Sequence, residues 1–375
     1  MKKGIRHLIA GAAALIAAAM PAIAEAETKR TEFHIPSEQD MKIYVREVFD
    51  TAARVDKPPV ILLHGARVPG AASFDLPVEG GSLAADLSKE GHRVFVMDAR
   101  GYGASTRPAA MSGPPEGQSL VSSHEVVRDL STVVSWVKAH TGKSQIALVG
   151  WATGGHWAGM YASLKPEDVS HLVLYNALYG AHEGHPTLGP GSDTADPQHP
   201  NRFDAKRFGA YRLNTAASLV QAWDRSIPTA NKDEWRDPAV VQAYQRDALA
   251  SDPAAHRQNP PAFRSPSGAM EDSFYLAAGR QLWDAASITS RVLIIRSGND
   301  FWSRPEDVTK LQEHLVRAQA IETVTIPDAT HFVHLDRTAK GRDRFISHLT
   351  RFLANTSSAA VATQGRGSLA APEWG

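Results

Sequence analysis

Apolar residues along this chain fall into two alternating rhythms. Short runs at 32–35, 42–49, 60–63, 94–97, 146–149, 171–175, 292–295 and 322–326 are dense in Val, Ile, Leu and Phe. Several, such as Val60-Ile61-Leu62-Leu63 and Val94-Phe95-Val96-Met97, carry no polar alternation. That pattern suits strands covered on both faces, as in a parallel sheet. The first two runs predict an opening antiparallel pair. Between the runs, helical spacing predicts helices over 82–90, 123–140, 154–164, 305–318 and 339–353. Strand and helix in alternation predict an α/β fold: a mostly parallel eight-stranded sheet with helices on both faces. No internal repeat is visible.

The alternation stops between Tyr175 and Arg291. A Pro- and Gly-rich stretch at 184–200 comes first, followed by helical patterns carrying Tyr211, Trp223, Trp235, Tyr244, Phe274, Tyr275 and Trp283. We expect a helical lid inserted after the sixth strand, over the carboxyl ends of the strands where open α/β sheets bind ligands. Most of those aromatics should build the lid's own core, with one or two lining a pocket. The division expected is a core in two parts, 27–178 and 289–354, a lid at 179–288, and a flexible tail at 355–375 rich in Ala, Ser, Gly and Thr.

Composition adds bounds rather than an activity. The chain has 375 residues, 43% of them apolar, enough for one large domain with an insertion. Lys plus Arg (40) balance Asp plus Glu (40), so charge points to neither nucleic acid nor an anionic membrane surface. Residues 1–26 read as a secretory signal: Lys2, Lys3 and Arg6, an Ala-rich apolar stretch over 8–20, then small-residue cleavage sites ending at Ala24 or Ala26. The apolar stretch is shorter than the roughly 20 residues of a spanning helix. A periplasmic or secreted protein with no lasting membrane insertion is therefore expected. Cysteine is absent, which excludes disulfides, thiol nucleophiles and cysteine-bound zinc. No metal-ligand cluster or phosphate loop is visible, so no cofactor is expected, and no oligomeric state is favoured.

The chemistry-bearing segment follows the run at 146–149. Gly150-Trp151-Ala152-Thr153-Gly154-Gly155 has the form G-x-S-x-G with alanine in place of serine. Glycines at its edges permit a sharp strand-to-helix turn that raises the central side chain above the sheet. The last two strands are followed by an acid and a histidine: Asp300 in Ser297-Gly298-Asn299-Asp300-Phe301-Trp302, and His331 in Asp328-Ala329-Thr330-His331. Asp328 and Asp307 are the fallback acids, and His334 is the competing histidine, read as a group behind His331 or on the surface. A general base needs a carboxylate behind it to fix its tautomer.

With His64-Gly65 after the third strand and Asp98-Ala99-Arg100-Gly101-Tyr102-Gly103-Ala104-Ser105 after the fourth, four motifs stand in order, and over about 32–353 the chain resembles the α/β-hydrolase superfamily. The resemblance implies a serine hydrolase acting on a small-molecule carboxylic ester through an acyl-enzyme. It places the nucleophile at Ala152, the acid at Asp300, the base at His331, and the oxyanion-hole N–H groups at Ala66 and Thr153. One departure is Ser297, where a glycine is common in the family's acid loop. His64 and the 98–105 loop read as architectural. Trp151 and Trp302 are candidate walls for an aromatic or alkyl group, and Arg67 is a candidate partner for a substrate carboxylate. The intact acid, histidine and glycines favour a serine replaced by alanine in an otherwise complete site. The competing explanations are a binding module in which the alanine is native, and a lyase using His331 without a nucleophile.

Overall fold

The computed structural model describes residues 27–38, 40–53, 56–182 and 184–355; the expected secretory signal and nearly all of the expected tail lie outside the described residues. Eight strands form one sheet: β1 (Thr28–Pro36), β2 (Lys42–Asp50), β3 (Val60–Leu63), β4 (Val94–Met97), β5 (Ile146–Trp151), β6 (Val169–Tyr175), β7 (Arg291–Asn299) and β8 (Ala320–Thr330). Their spatial order is β1-β2-β4-β3-β5-β6-β7-β8. β1 pairs antiparallel with β2 and β2 with β4, and the remaining neighbours run parallel.

The unbroken apolar runs are explained by where alternate side chains go. Val60 and Leu62 of β3, Val94 and Val96 of β4, and Ala147 and Val149 of β5 enter one core. Ile61, Leu63, Phe95, Met97, Ile146 and Leu148 enter the other, on the opposite face. Each such side chain contributes roughly 1.5–3 kcal/mol by leaving water. α1 (Leu83–Lys89) covers the first face and α2 (Ser123–Thr141) and α3 (Thr153–Leu164) the second. Local chemistry fixes the ends of α2. The Ser122 N–H donates to Glu125 Oε2 at 2.8 Å in a capping box, and Gly142 closes the helix at φ 67°.

Between β6 and β7 the chain builds a short hairpin, a second antiparallel strand pair, a single helical turn at Ala205–Phe208 and three longer helices. Ala195–Asp196 pairs with His199–Phe203, and Tyr211–Thr215 with Ala262–Pro266; the helices are α4 (Ala216–Asp224), α5 (Pro238–Ala250) and α6 (Gly268–Ala277). Of the aromatics expected to pack here, Tyr211, Trp223, Trp235, Tyr244, Phe274 and Trp283 are buried, and Tyr275 is half-buried. Beyond β7 come α7 (Pro305–His314) and α8 (Arg342–Ala354). Both are shorter than their spacing predicts. α7 stops where Leu315 leaves helical geometry (ψ 45°) to pack in the core, and α8 starts late because Gly341, at φ 105°, turns the chain into it.

Candidate active site

The turn at the end of β5 is compressed to one residue. Ala152 alone separates β5 from α3, with φ 52° and ψ −115°, a conformation that residues bearing a side chain rarely adopt. Two hydrogen bonds hold it: its N–H donates to the Tyr175 carbonyl at 3.0 Å, and its carbonyl accepts from the Gly155 N–H at 3.0 Å. The glycine spacing is a packing requirement. A Cβ at Gly150 would lie 2.3 Å from the Gly154 carbonyl oxygen, and one at Gly154 would lie 2.1 Å from that of Leu63. Strand, helix and the neighbouring β3 meet only because those positions have no side chain. Thr153 opens α3, so its N–H belongs to the first turn, where no intrahelical acceptor exists.

The acid and the histidine arrive from the tips of β7 and β8. His331 Nδ1 lies 2.6 Å from Asp300 Oδ1, with the carboxylate wholly buried. Burial pushes Asp300 up, but the His331 charge and hydrogen bond, with the Ser303 N–H and hydroxyl, outweigh it and hold the carboxyl below its usual range. Asp300 also accepts from the Trp302 N–H at 3.1 Å. The asparagine-aspartate turn and the carboxylate that orients the base are therefore one structure. The His331 carbonyl accepts from Trp151 Nε1 at 2.9 Å and Asn176 Nδ2 at 3.1 Å, which fixes the backbone beneath the ring. Behind it, Asp336 accepts from the Thr330 N–H and hydroxyl and from Trp223 Nε1. Burial raises this carboxyl to about 7 against those hydrogen bonds.

Of the competing groups, Asp328 is exposed and pairs with Arg344, and Asp307 is tied to Arg304. His334 is fully buried, packed on Trp151 at 4.5 Å between ring centroids, which rules out the surface reading. Burial, then the His331 and Arg342 charges, hold it well below the ordinary histidine range.

His64 orients the loop that carries Ala66. The Ala99 N–H donates to His64 Nε2 at 3.1 Å, so the ring proton sits on Nδ1, which donates to the Gly65 carbonyl at 2.7 Å. Burial lowers this histidine to about 4, keeping it neutral. A planar trans peptide directs its carbonyl and its N–H to opposite sides. With the Gly65 carbonyl turned to His64, the Ala66 N–H of the same peptide is aimed away from that ring. Ala66 and Thr153 line one cavity with Ala152 and His331. A Cβ built on Gly65 would sit 3.6 Å from Ala152 Cβ, so this loop passes directly beside the elbow.

The sequence matches the family model described as alpha/beta hydrolase fold over residues 58–338. The chain belongs to the α/β-hydrolase family. Among solved structures it is similar to an esterase (EaEST) from Exiguobacterium antarcticum, at 17% identity over 87% of this chain and 100% of that one, TM-score 0.56. A hydrolase from Pseudomonas aeruginosa is similar at 17% identity, 86% and 98% coverage, TM-score 0.54. E-2-(acetamidomethylene)succinate hydrolase is similar at 16% identity, 88% and 100% coverage, TM-score 0.53. At such identities the likeness is one of fold. No curated protein matches the sequence.

In this α/β-hydrolase the cavity at the elbow measures about 220 Å³, a small-molecule scale. The catalytic framework supplies Gly65, Ala66, Arg67, Trp151, Ala152, Thr153, Phe301, Trp302 and His331; the 176–290 segment supplies Leu188, Arg212, Arg225, Tyr244 and Met270 among others. The eight residues singled out in the sequence are thus brought together: Ala152 at the elbow, Asp300 paired with His331, and Ala66, Thr153, Arg67, Trp151 and Trp302 in the cavity walls. Trp151 has a second task, since its indole N–H holds the His331 carbonyl. Asp300 alone stands outside the cavity wall, behind His331. Sequence reasoning missed Arg212, Arg225 and Met270 as lining groups. No periodicity distinguishes a cavity arginine from a solvated one; Phe301, beside the acid, was legible from its position.

Proposed function

We propose that this scaffold is that of an exported serine hydrolase of small carboxylic esters, carrying alanine where the nucleophilic serine belongs. The observation that supports it is the Asp300–His331 pair, 2.6 Å apart and opening on the same cavity as a strained elbow that holds no hydroxyl. A hydroxyl introduced by Ala152→Ser would attack the ester carbonyl carbon while His331 takes its proton. The oxyanion so formed is stabilised by the Ala66 and Thr153 N–H groups, whose dipoles are already oriented. Collapse breaks the acyl carbon–oxygen bond, and His331 returns the proton to the departing alcohol. Water, deprotonated by His331, then attacks the acyl-enzyme; the acid leaves and the hydroxyl recovers its proton. Asp300, ionised throughout, keeps His331 in the tautomer this needs. The aromatic walls favour an aryl or alkyl-aromatic ester.

The chain as it stands should bind such esters and scarcely turn them over. Losing a nucleophile from a triad costs about six powers of ten in turnover. The test is a panel of aryl and alkyl esters presented to the signal-free chain and to Ala152→Ser side by side. Hydrolysis that emerges only with serine is the expected result. Equal inactivity would replace this reading with a binding protein, and equal activity would mean that His331 acts without a nucleophile. Export is checked separately, by fractionating cells that express the full chain: retention in the cytoplasm would refute it.

A further inference from the structure

Several buried or half-buried arginines away from the cavity are neutralised: Arg100 by Asp129 at 2.5 Å, Arg264 by Asp252 at 2.7 Å, Arg304 by Asp307 at 2.8 Å and Arg342 by Asp86 at 2.5 Å. The three that line the active-site cavity are not. Arg67 Nη1 donates to the Ser218 carbonyl at 3.1 Å, Arg212 Nη2 to the Ala66 carbonyl at 2.8 Å, and Arg225 lies over the Phe301 ring at 4.9 Å. Among the described residues none of the three forms an ion pair, and Arg212 Nε is buried with no hydrogen-bond partner at all. Among the described residues no aspartate or glutamate lines the cavity, and the nearby carboxylate, Asp300, is already engaged by His331, Trp302 and Ser303.

Concentrating unpaired cations in a partly apolar cavity opposes folding, because burial and mutual repulsion both act against the charged forms. Both effects register here. Burial lowers Arg67, with Arg225 adding to it, and lowers Arg212 to about 10, with Arg67 adding to it. A planar anion is the group that would relieve this arrangement, since a carboxylate accepts the paired N–H donors of a guanidinium. The position is also informative. Arg67 directly follows Ala66, and Arg212 holds the Ala66 carbonyl, so the cationic wall adjoins the oxyanion loop. The opposite character comes from Phe301, Trp302, Phe332, Leu188 and Met270.

We propose that the substrate carries a free carboxylate as well as the ester, and that Arg67 and Arg212, with Arg225 at the mouth, hold that carboxylate while the ester carbonyl lies at Ala152. The best-matched class is a half-ester of a small aromatic dicarboxylic acid. This inference rests on the ester-hydrolase reading for its reaction, but its binding component stands independently of turnover.

The test uses the chain as it exists, whose alanine leaves an ester intact for binding. Calorimetric titration compares the three monomethyl benzenedicarboxylates with their neutral dimethyl esters. The expected result is that at least one half-ester binds about tenfold or more tighter than its diester, with the preference shrinking as salt is raised. Arg67→Gln and Arg212→Gln should each remove about a tenfold share of that preference. Arg225→Gln, at an exposed position, should remove less and serves as the variant least able to disturb folding. Equal affinity for every half-ester and diester pair, or a preference that survives all three substitutions, would overturn the proposal. Tight half-ester binding beside an inactive Ala152→Ser would uphold the anion site and refute the hydrolase. An Ala152→Ser enzyme that cleaves diesters as well as half-esters would do the reverse.

Discussion

The two halves of the cavity are built by different rules. The wall from the sheet is made of strand ends: the β5 elbow, the β3 loop, and the tips of β7 and β8. Each is fixed by main-chain geometry that leaves almost no freedom, such as the Gly154 Cα packed on the Leu63 carbonyl. The wall from 176–290 is made of side chains on short helices and hairpins, and its polar members face the cavity without ion-pair partners. The first half sets what reaction is possible, and the second sets which molecule meets it. Substitutions should therefore separate: those at the elbow, the acid and the histidine should act on turnover, those at the cavity arginines on binding.

The largest effect expected beyond the nucleophile itself is at Asp300. In an Ala152→Ser background, Asp300→Asn should lower kcat about ten-thousand-fold while substrate affinity holds, because the histidine loses its tautomer and its counter-charge. A comparable loss in affinity would place Asp300 in the binding wall instead. Next comes His64, which touches no substrate. In the same background His64→Gln should reduce kcat about 100- to 1,000-fold with KM little changed, as expected for a misdirected oxyanion donor. An unchanged kcat would show that the Gly65–Ala66 peptide holds its orientation unaided.

A test on stability rather than turnover lies at the seam between the two walls. Asp336 joins Thr330 to Trp223, and its carboxyl is raised to about 7. Between about pH 4 and 7 the folded chain keeps a proton that the unfolded chain has released. Asp336 therefore favours folding most below about pH 4, and that contribution falls as pH rises, by up to roughly 1.4 kcal/mol per unit, before levelling above 7. Melting curves of the parent and Asp336→Asn across this range should converge or cross as pH rises. Parallel curves would show that the carboxyl is ionised throughout.

The same division governs how much was legible in the sequence. The inner strands could be read because burial on both faces leaves a short unbroken apolar run, while the half-exposed edge strands β1 and β8 had to be read from weaker signals. The elbow was legible because backbone contacts at Gly150 and Gly154 exclude every side chain. Asp300 and His331 were legible from position, each following a strand near the end of the chain. Arg212 and Arg225 were not, because their role depends on how 176–290 folds back over the sheet. Nor could the letters show that His64 aims the Ala66 peptide, a relation set by a ring tautomer and a neighbouring amide. Helix ends were misjudged where a single residue, Leu315 or Gly341, redirects the chain.

The seam has a mechanical meaning as well. Trp223 Nε1 bonds Asp336 at 2.9 Å, Trp235 Nε1 bonds the Asp328 carbonyl at 2.7 Å, and the Arg337 N–H bonds the Trp235 carbonyl at 2.6 Å. These bonds clamp the stretch around 223–235 to the loop that carries His331. That part of the cover cannot swing outward without dragging the base with it. The opposite rim is tied in as well, since the Thr187 and Leu188 N–H groups donate to His185, whose other ring nitrogen bonds the Trp302 carbonyl at 2.8 Å beside the acid.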